Sequence, residues 1–216
     1  MSKKKPIFVT FEGIEGSGKS YQCHKLYLNL KKRKIPVILT REPGGTIGAE
    51  HIRRIILDDY FHKNSKEKFD KYTDTLLYLA ARNEHVKNKI LPSIKSKKNI
   101  ICDRFVDSTI AYQVFGKGVD QNLINYIHKH ILGNLKIDLT FVLKVKISKA
   151  FQRLKKRRSR NRYDKFSKKF YVKAQNAFIK IAKKNKNKYF VIDNSKDSIE
   201  TEKSILTKYL SVLNKK

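Results

Sequence analysis

A chain of 216 residues, 40% hydrophobic and 11% aromatic, can hold a core of its own and is too apolar for a disordered polyelectrolyte. Lys and Arg number 50 against 19 Asp and Glu, a net charge of +31, so a nucleic-acid partner is the first reading to weigh. No apolar run approaches the roughly 18–20 residues of a membrane span, and two cysteines make neither a disulfide framework nor a zinc site.

The start, Met-Ser-Lys-Lys-Lys-Pro, has charge but too short an apolar run after it for a secretion signal. Cys23 and Cys102 sit in apolar-patterned segments, so the chain reads as cytosolic with buried thiols. Pro6-Ile-Phe-Val-Thr-Phe11 predicts a buried strand. Residues 19–33 place Cys23, Leu26, Tyr27 and Leu30 at helical spacing. A second strand over 35–40 is stopped by Pro43-Gly44-Gly45; residues 49–57 read as a helix and 58–71 as a polar loop. A long helix over 74–91 should end at Pro92. A third strand over 99–102 runs straight into Asp103 and Arg104. Helices over 108–112 and 122–132 precede a fourth strand over 139–145. A helix capped by Ser148 and reaching about residue 156 breaks into a basic stretch over 155–162. A helix over 171–183, a fifth strand over 189–192 and a helix over 199–213 complete the chain.

Strands alternate with helices, and no linker or repeat divides the sequence. The pattern predicts an α/β fold, a parallel sheet with helices on both faces. Ligands bind such sheets beyond the carboxyl ends of the strands, which here means after Phe11, Thr40 and Cys102.

Gly13-Ile-Glu-Gly-Ser-Gly-Lys-Ser20 lies between the first strand and the first helix, where a G-x-x-x-x-G-K-[ST] loop belongs. Its glycines let successive backbone N–H groups turn inward on an anion, and the helix N-terminus adds its positive end. Lys19 can reach the β- and γ-phosphates, and the Ser20 hydroxyl can ligate magnesium. The loop specifies a nucleoside triphosphate but not the acceptor.

Three further clusters fall at the same edge of the sheet: Thr40-Arg-Glu-Pro-Gly-Gly45, Tyr78 with Ala80-Ala-Arg82, and Asp103-Arg-Phe-Val-Asp-Ser-Thr-Ile-Ala-Tyr-Gln113. In this order they resemble the thymidylate kinase family, P-loop enzymes that phosphorylate dTMP to dTDP. The likeness runs over essentially the whole chain. It implies a P-loop NTPase fold with a five-stranded parallel sheet, a single nucleoside monophosphate kinase domain with a small lid about 153–166, ATP as donor, Mg2+, and a homodimer.

The resemblance also implies roles. Arg53, Arg82 and Arg104 match positions near the acceptor phosphate and base, where the arginine fork suits bidentate contacts better than lysine does. Tyr78 matches the ring that stacks on the thymine, with Arg82, Ser108 and Gln113 supplying the polar selectivity that stacking lacks. Tyr112 matches the residue under the deoxyribose and would crowd a 2′-hydroxyl. Glu42 and Pro43, joined by an expected cis peptide, belong to the same site. Glu15 matches the carboxylate that contacts the 3′-hydroxyl, and Asp103 joins Ser20 around the metal.

A phosphate acceptor is already deprotonated, so catalysis is alignment and neutralisation of shifting charge by Lys19, Arg104, Glu15 and one mobile arginine. Ile14, Glu15, Gly16 and Ser17 include no basic residue, which resembles the bacterial type with that arginine on the lid. Arg162 aligns best, although Asn161 stands where the family has Asp, and Arg153, Arg157, Arg158 and Arg160 crowd around it. Two rivals remain. A deoxynucleoside kinase would need a carboxylate base, Glu12 or Glu42. A nucleic-acid-binding P-loop ATPase fits the charge, but the lysines are scattered over most predicted elements, apart from 155–169.

Overall fold

The chain, as a computed structural model, is described over residues 5–57, 68–157, 162–196 and 198–215, the side chains of Arg162 and Lys165 excepted. Five parallel strands form one sheet. β1 (Phe8–Glu12) is central, between β3 (Asn99–Asp103) and β4 (Leu139–Lys144). β2 (Val37–Arg41) lies outside β3, and β5 (Tyr189–Asp193) outside β4. All of β1 is buried, which is why its sequence runs continuously apolar instead of alternating.

Successive residues feed opposite faces. Val9 and Phe11 meet α1 (Lys19–Lys32) and α9 (Ile199–Leu213) through Leu26, Leu30, Ile205 and Tyr209. Phe8 and Ile100 meet α3 (Lys71–His85) and α6 (Gln121–Leu132) through Leu79, Ile124 and Ile131. On that second face α8 (Lys168–Lys184) packs Ala174 and Phe178 beside Val142.

Several element bounds differ from expectation, each for a local reason. α3 starts at Lys71, before residue 74, because Asp70 caps it by accepting the Tyr72 N–H at 2.7 Å. Pro92 does not end the helical run. A wide turn over 86–90 carries the Leu91 N–H to the Val86 carbonyl, and α4 (Leu91–Lys95) takes Pro92 in its first turn, where a missing N–H is harmless. The helix predicted over 108–112 is longer: α5 (Val106–Thr109) continues into wide turns over 110–116. Ser148 is not a cap, since α7 (Ile147–Lys155) begins from Lys146. α8 begins at Lys168 because Ser167 accepts the Phe170 N–H at 3.2 Å. α2 (Ile47–Leu57) likewise starts early, with Thr46 accepting the Ala49 N–H. Most of the predicted loop over 58–71 lies outside the described residues.

Candidate active site

Glu12, Arg41 and Asp103 end β1, β2 and β3, so the loops carrying the motifs leave the sheet side by side. Backbone pairing goes one step further: Glu42 N–H donates to Asp103 O at 3.0 Å, and Arg104 N–H to Phe11 O at 2.9 Å. Arg104 holds φ at 70°, a left-handed conformation that costs a side chain. The Glu12 carboxylate secures the turn behind it, accepting the Phe105 N–H at 2.8 Å and the Ser108 hydroxyl at 2.6 Å. Burial, and then repulsion from Asp107, push the pKa of Glu12 up to about 7.

Residues 13–20 curl between β1 and α1. Gly18 caps the helix at φ 90°, a region open to glycine, and Ser17 N–H closes the turn on Ile14 O at 3.2 Å. Two side chains brace this loop from outside. Arg153 Nη1 donates to Gly16 O at 2.9 Å, and Asn194 Nδ2 to Ser17 O at 2.8 Å. Arg153, within the expected lid, is therefore a brace for the phosphate loop. Lys19 Nζ lies inside the loop, 2.7 Å from Ile14 O. Burial, then Arg104, push its pKa down to about 8.

Ser20 Oγ donates to Asp103 Oδ2, while Asp103 Oδ1 is buried with no hydrogen-bond partner among the described residues. A hydroxyl beside a carboxylate with a spare oxygen is the hard-oxygen donor set that Mg2+ takes together with phosphates. The residues present fit the implied ion.

Beside the loop opens a cleft with Glu15, Lys19, Ser20 and Asp103 at one end. Glu42, Pro43, Arg53, Tyr78, Arg82, Arg104, Ser108, Tyr112 and Gln113 all line the same cleft. The Glu42–Pro43 peptide is cis, as the resemblance implies, and Arg53 Nη1 donates to Pro43 O at 2.5 Å. Arg104 bridges the two ends, donating to Glu15 Oε1 at 2.8 Å, Gly13 O at 2.9 Å and Ser108 Oγ at 3.1 Å. Burial opposes its charge, but Glu15 and other anionic neighbours outweigh this and hold its pKa above the ordinary value. Burial would likewise raise Glu15; Arg104, Lys19 and the Tyr112 hydroxyl, 2.5 Å from Glu15 Oε2, outweigh it and keep the carboxylate ionised.

One wall is aromatic. Tyr78 and Tyr112 each meet the ring of Tyr163 edge-on at 6.0 Å between centroids. The floor is polar and buried. Glu42 accepts Arg82 Nε–H at 2.7 Å on one oxygen and pairs with His85 Nδ1 at 2.9 Å on the other. His85 Nε2 reaches Thr40 Oγ1 at 2.7 Å, and a Cβ on Gly45 would strike both residues. Gln113 is buried, and its Nε2 has no partner among the described residues.

This geometry can be set beside known proteins. The sequence model of the family described as "Thymidylate kinase" matches residues 11–205. The chain is 40% identical over 213 residues to a "Thymidylate kinase" of Wolbachia pipientis subsp. Culex pipiens, covering 97% of each chain. The chain belongs to the thymidylate kinase family. A second relative of that name, from Sulfurihydrogenibium sp., is 37% identical over 200 residues, covering 93% of this chain and 95% of its own. The crystal structure of thymidylate kinase from Ehrlichia chaffeensis superposes with a TM-score of 0.71 at 34% identity, covering 95% of this chain and 98% of that one.

Sequence reasoning missed several residues of this thymidylate kinase cleft. Phe105, Thr109, Arg41, Arg157 and Tyr163 also line it. Tyr163 could have been found, because it follows Arg162 directly and continues the aromatic density over 163–171. Arg41 stood inside a quoted motif without a role; it pairs with Glu50 at 3.1 Å. Arg162 falls in a short turn over 162–165 with its side chain outside the description, and Arg158, Arg160 and Asn161 lie outside the described residues. Arg157 is tied to Asp164 at 3.2 Å.

Proposed function

We propose that this chain transfers the γ-phosphoryl group of ATP to the phosphate of dTMP, with Mg2+ at Ser20 and Asp103, giving dTDP and ADP. The observation that carries this reading is a cleft rich in arginine in which, among the described residues, the one carboxylate with a spare oxygen, Asp103, is the one assigned to Mg2+ rather than to a base. Glu12 is fully buried outside the cleft lining, and both oxygens of Glu42 are taken. Glu15 is held ionised by Arg104 and Tyr112. A hydroxyl acceptor would lack its base, so the deoxynucleoside kinase reading loses its chemistry, whereas a phosphate acceptor needs none.

The residues divide the work. The loop amides of 13–20 and Lys19 bind the donor polyphosphate, whose negative charge favours the ammonium form of Lys19. Arg53 and Arg104 hold the acceptor phosphate beside it, and Tyr78 and Tyr112 fix the base and sugar. Mg2+ bound at Ser20 and Asp103 would neutralise charge on the phosphate oxygens. A lid arginine, Arg162 in our reading, completes the neutralisation. The family resemblance implies that two copies pair, and the adjoining α2, α3 and α6, which expose Ile47, Leu76 and Tyr126, offer an apolar face for it. The unpaired thiols of Cys23 and Cys102 suit a cytoplasmic setting. A coupled ADP-release assay over all nucleoside monophosphates and thymidine tests the reading: dTMP should be the best acceptor, and thymidine turned over in its place would sink it. Light scattering in solution tests the dimer.

A further inference from the structure

Arg82 is 2% exposed, and its guanidinium is almost fully engaged by the protein. Nε–H goes to Glu42 at 2.7 Å and one Nη2–H to Phe105 O at 2.9 Å. Both Nη1–H groups are taken, one by Thr109 Oγ1 at 2.9 Å and one by His128 Nε2 at 2.6 Å. Four of the five N–H donors of an arginine are thereby used, which leaves a single N–H, on Nη2, for the cleft that Arg82 lines.

His128 comes from α6 and lines no part of that cleft. A guanidinium has no lone pair to offer, so the imidazole must accept at Nε2 and carry its own proton at Nδ1. Burial, then the charge of Arg82, push the pKa of His128 down to about 3, so the ring stays neutral. Its Nδ1 is buried with no partner among the described residues, a standing cost that an apolar side chain would avoid. What the imidazole supplies in return is one acceptor, aimed at Arg82.

We propose that His128 is a positioning residue for recognition of the acceptor base. By occupying the second Nη1–H it adds a fourth contact to the three that set the plane of Arg82, and leaves the remaining Nη2–H as the donor for the cleft. A donor in that place accepts a base edge bearing a carbonyl oxygen, as in thymine, and rejects one bearing an amino group, as in cytosine. This rests on the dTMP kinase reading above. Glu42, Thr109 and Phe105 hold three N–H groups of the guanidinium, and His128 removes its last alternative.

The test compares His128→Leu with His128→Gln, whose amide oxygen can reach the same point. Steady-state kinetics with dTMP and dCMP are run on wild type and both variants, with melting temperatures alongside. Loss of one charge-assisted contact predicts that His128→Leu raises KM for dTMP about tenfold and moves kcat far less. The preference for dTMP over dCMP should narrow by a similar factor, and His128→Gln should restore both. If the two variants behave alike, or if kcat and melting temperature fall together while base preference stands, His128 only fills space and the proposal fails. If wild type does not phosphorylate dTMP, the functional reading itself falls and takes this inference with it.

Discussion

The guanidinium of Arg104 meets the carboxylate of Glu15 at 2.8 Å, and this pair ties the loop after β3 to the phosphate loop after β1. Arg104 reaches Glu15, Gly13 O and Ser108 with its two terminal nitrogens while its backbone is held left-handed. Lysine has neither the fork nor the reach to make three such contacts. Both Arg104→Ala and Arg104→Lys should therefore lower kcat/KM for dTMP, by about 10²–10³ for the alanine, with lysine recovering little. A lysine enzyme within a few-fold of wild type in the coupled assay would show that charge alone suffices.

Tyr112 stands against Glu15 through its hydroxyl at 2.5 Å and lies under Arg104, whose guanidinium sits 5.2 Å from the ring centre. In the proposed function its ring excludes a 2′-hydroxyl. Opening that space with Tyr112→Ala should cost overall activity yet raise the relative turnover of ribothymidylate against dTMP by about tenfold, the scale of one steric discrimination. An unchanged ratio would assign the selectivity elsewhere.

Asp103 offers a buried oxygen without a partner among the described residues, beside the Ser20 hydroxyl. Asp103→Asn removes the charge and keeps the shape. Half-saturating Mg2+ should rise by about tenfold or more in activity titrations, and a chelator should abolish turnover in wild type. dTMP binding measured by calorimetry without the metal should shift far less. Equal losses in both measurements would make Asp103 a general structural support.

Much of this was legible from the sequence because the carriers were local. The order of strands and helices follows from apolar periodicity, and Gly13 to Ser20 announces its loop by spacing alone. Helix starts were missed where single side chains, Asp70 and Ser167, cap one turn earlier than the apolar pattern begins. The run past Pro92 depends on a wide turn that no periodicity marks. Glu42 and Arg82 are legible as site residues, but the contacts at the floor of the cleft are the least legible part. Glu42, Arg82, His85 and His128 are spread over β2's loop, α3 and α6, and only the fold brings them within hydrogen-bond reach. The net charge of +31 was the poorest guide, since the cleft is shaped by a few arginines.

Glu12 gives the ligand-free protein a pH signature. Its carboxyl is buried beside Asp107, and both are pushed up by burial, Glu12 to about 7. In the unfolded chain it titrates near the ordinary 4.5. Between those values the folded protein keeps a proton that the unfolded chain has released. The contribution of Glu12 to stability is therefore fully present below 4.5 and is lost as pH rises to about 7. Glu12→Gln stays neutral throughout and can still accept the Phe105 N–H. Relative to wild type it should gain stability between pH 5 and pH 8, read as a difference in urea midpoints at the two values. Asp107→Asn removes the repulsion that helps raise Glu12, so it should recover part of the same gain. Parallel profiles for wild type and Glu12→Gln would mean that Glu12 is ionised across the whole range, held by Ser108, Arg104 and Phe105.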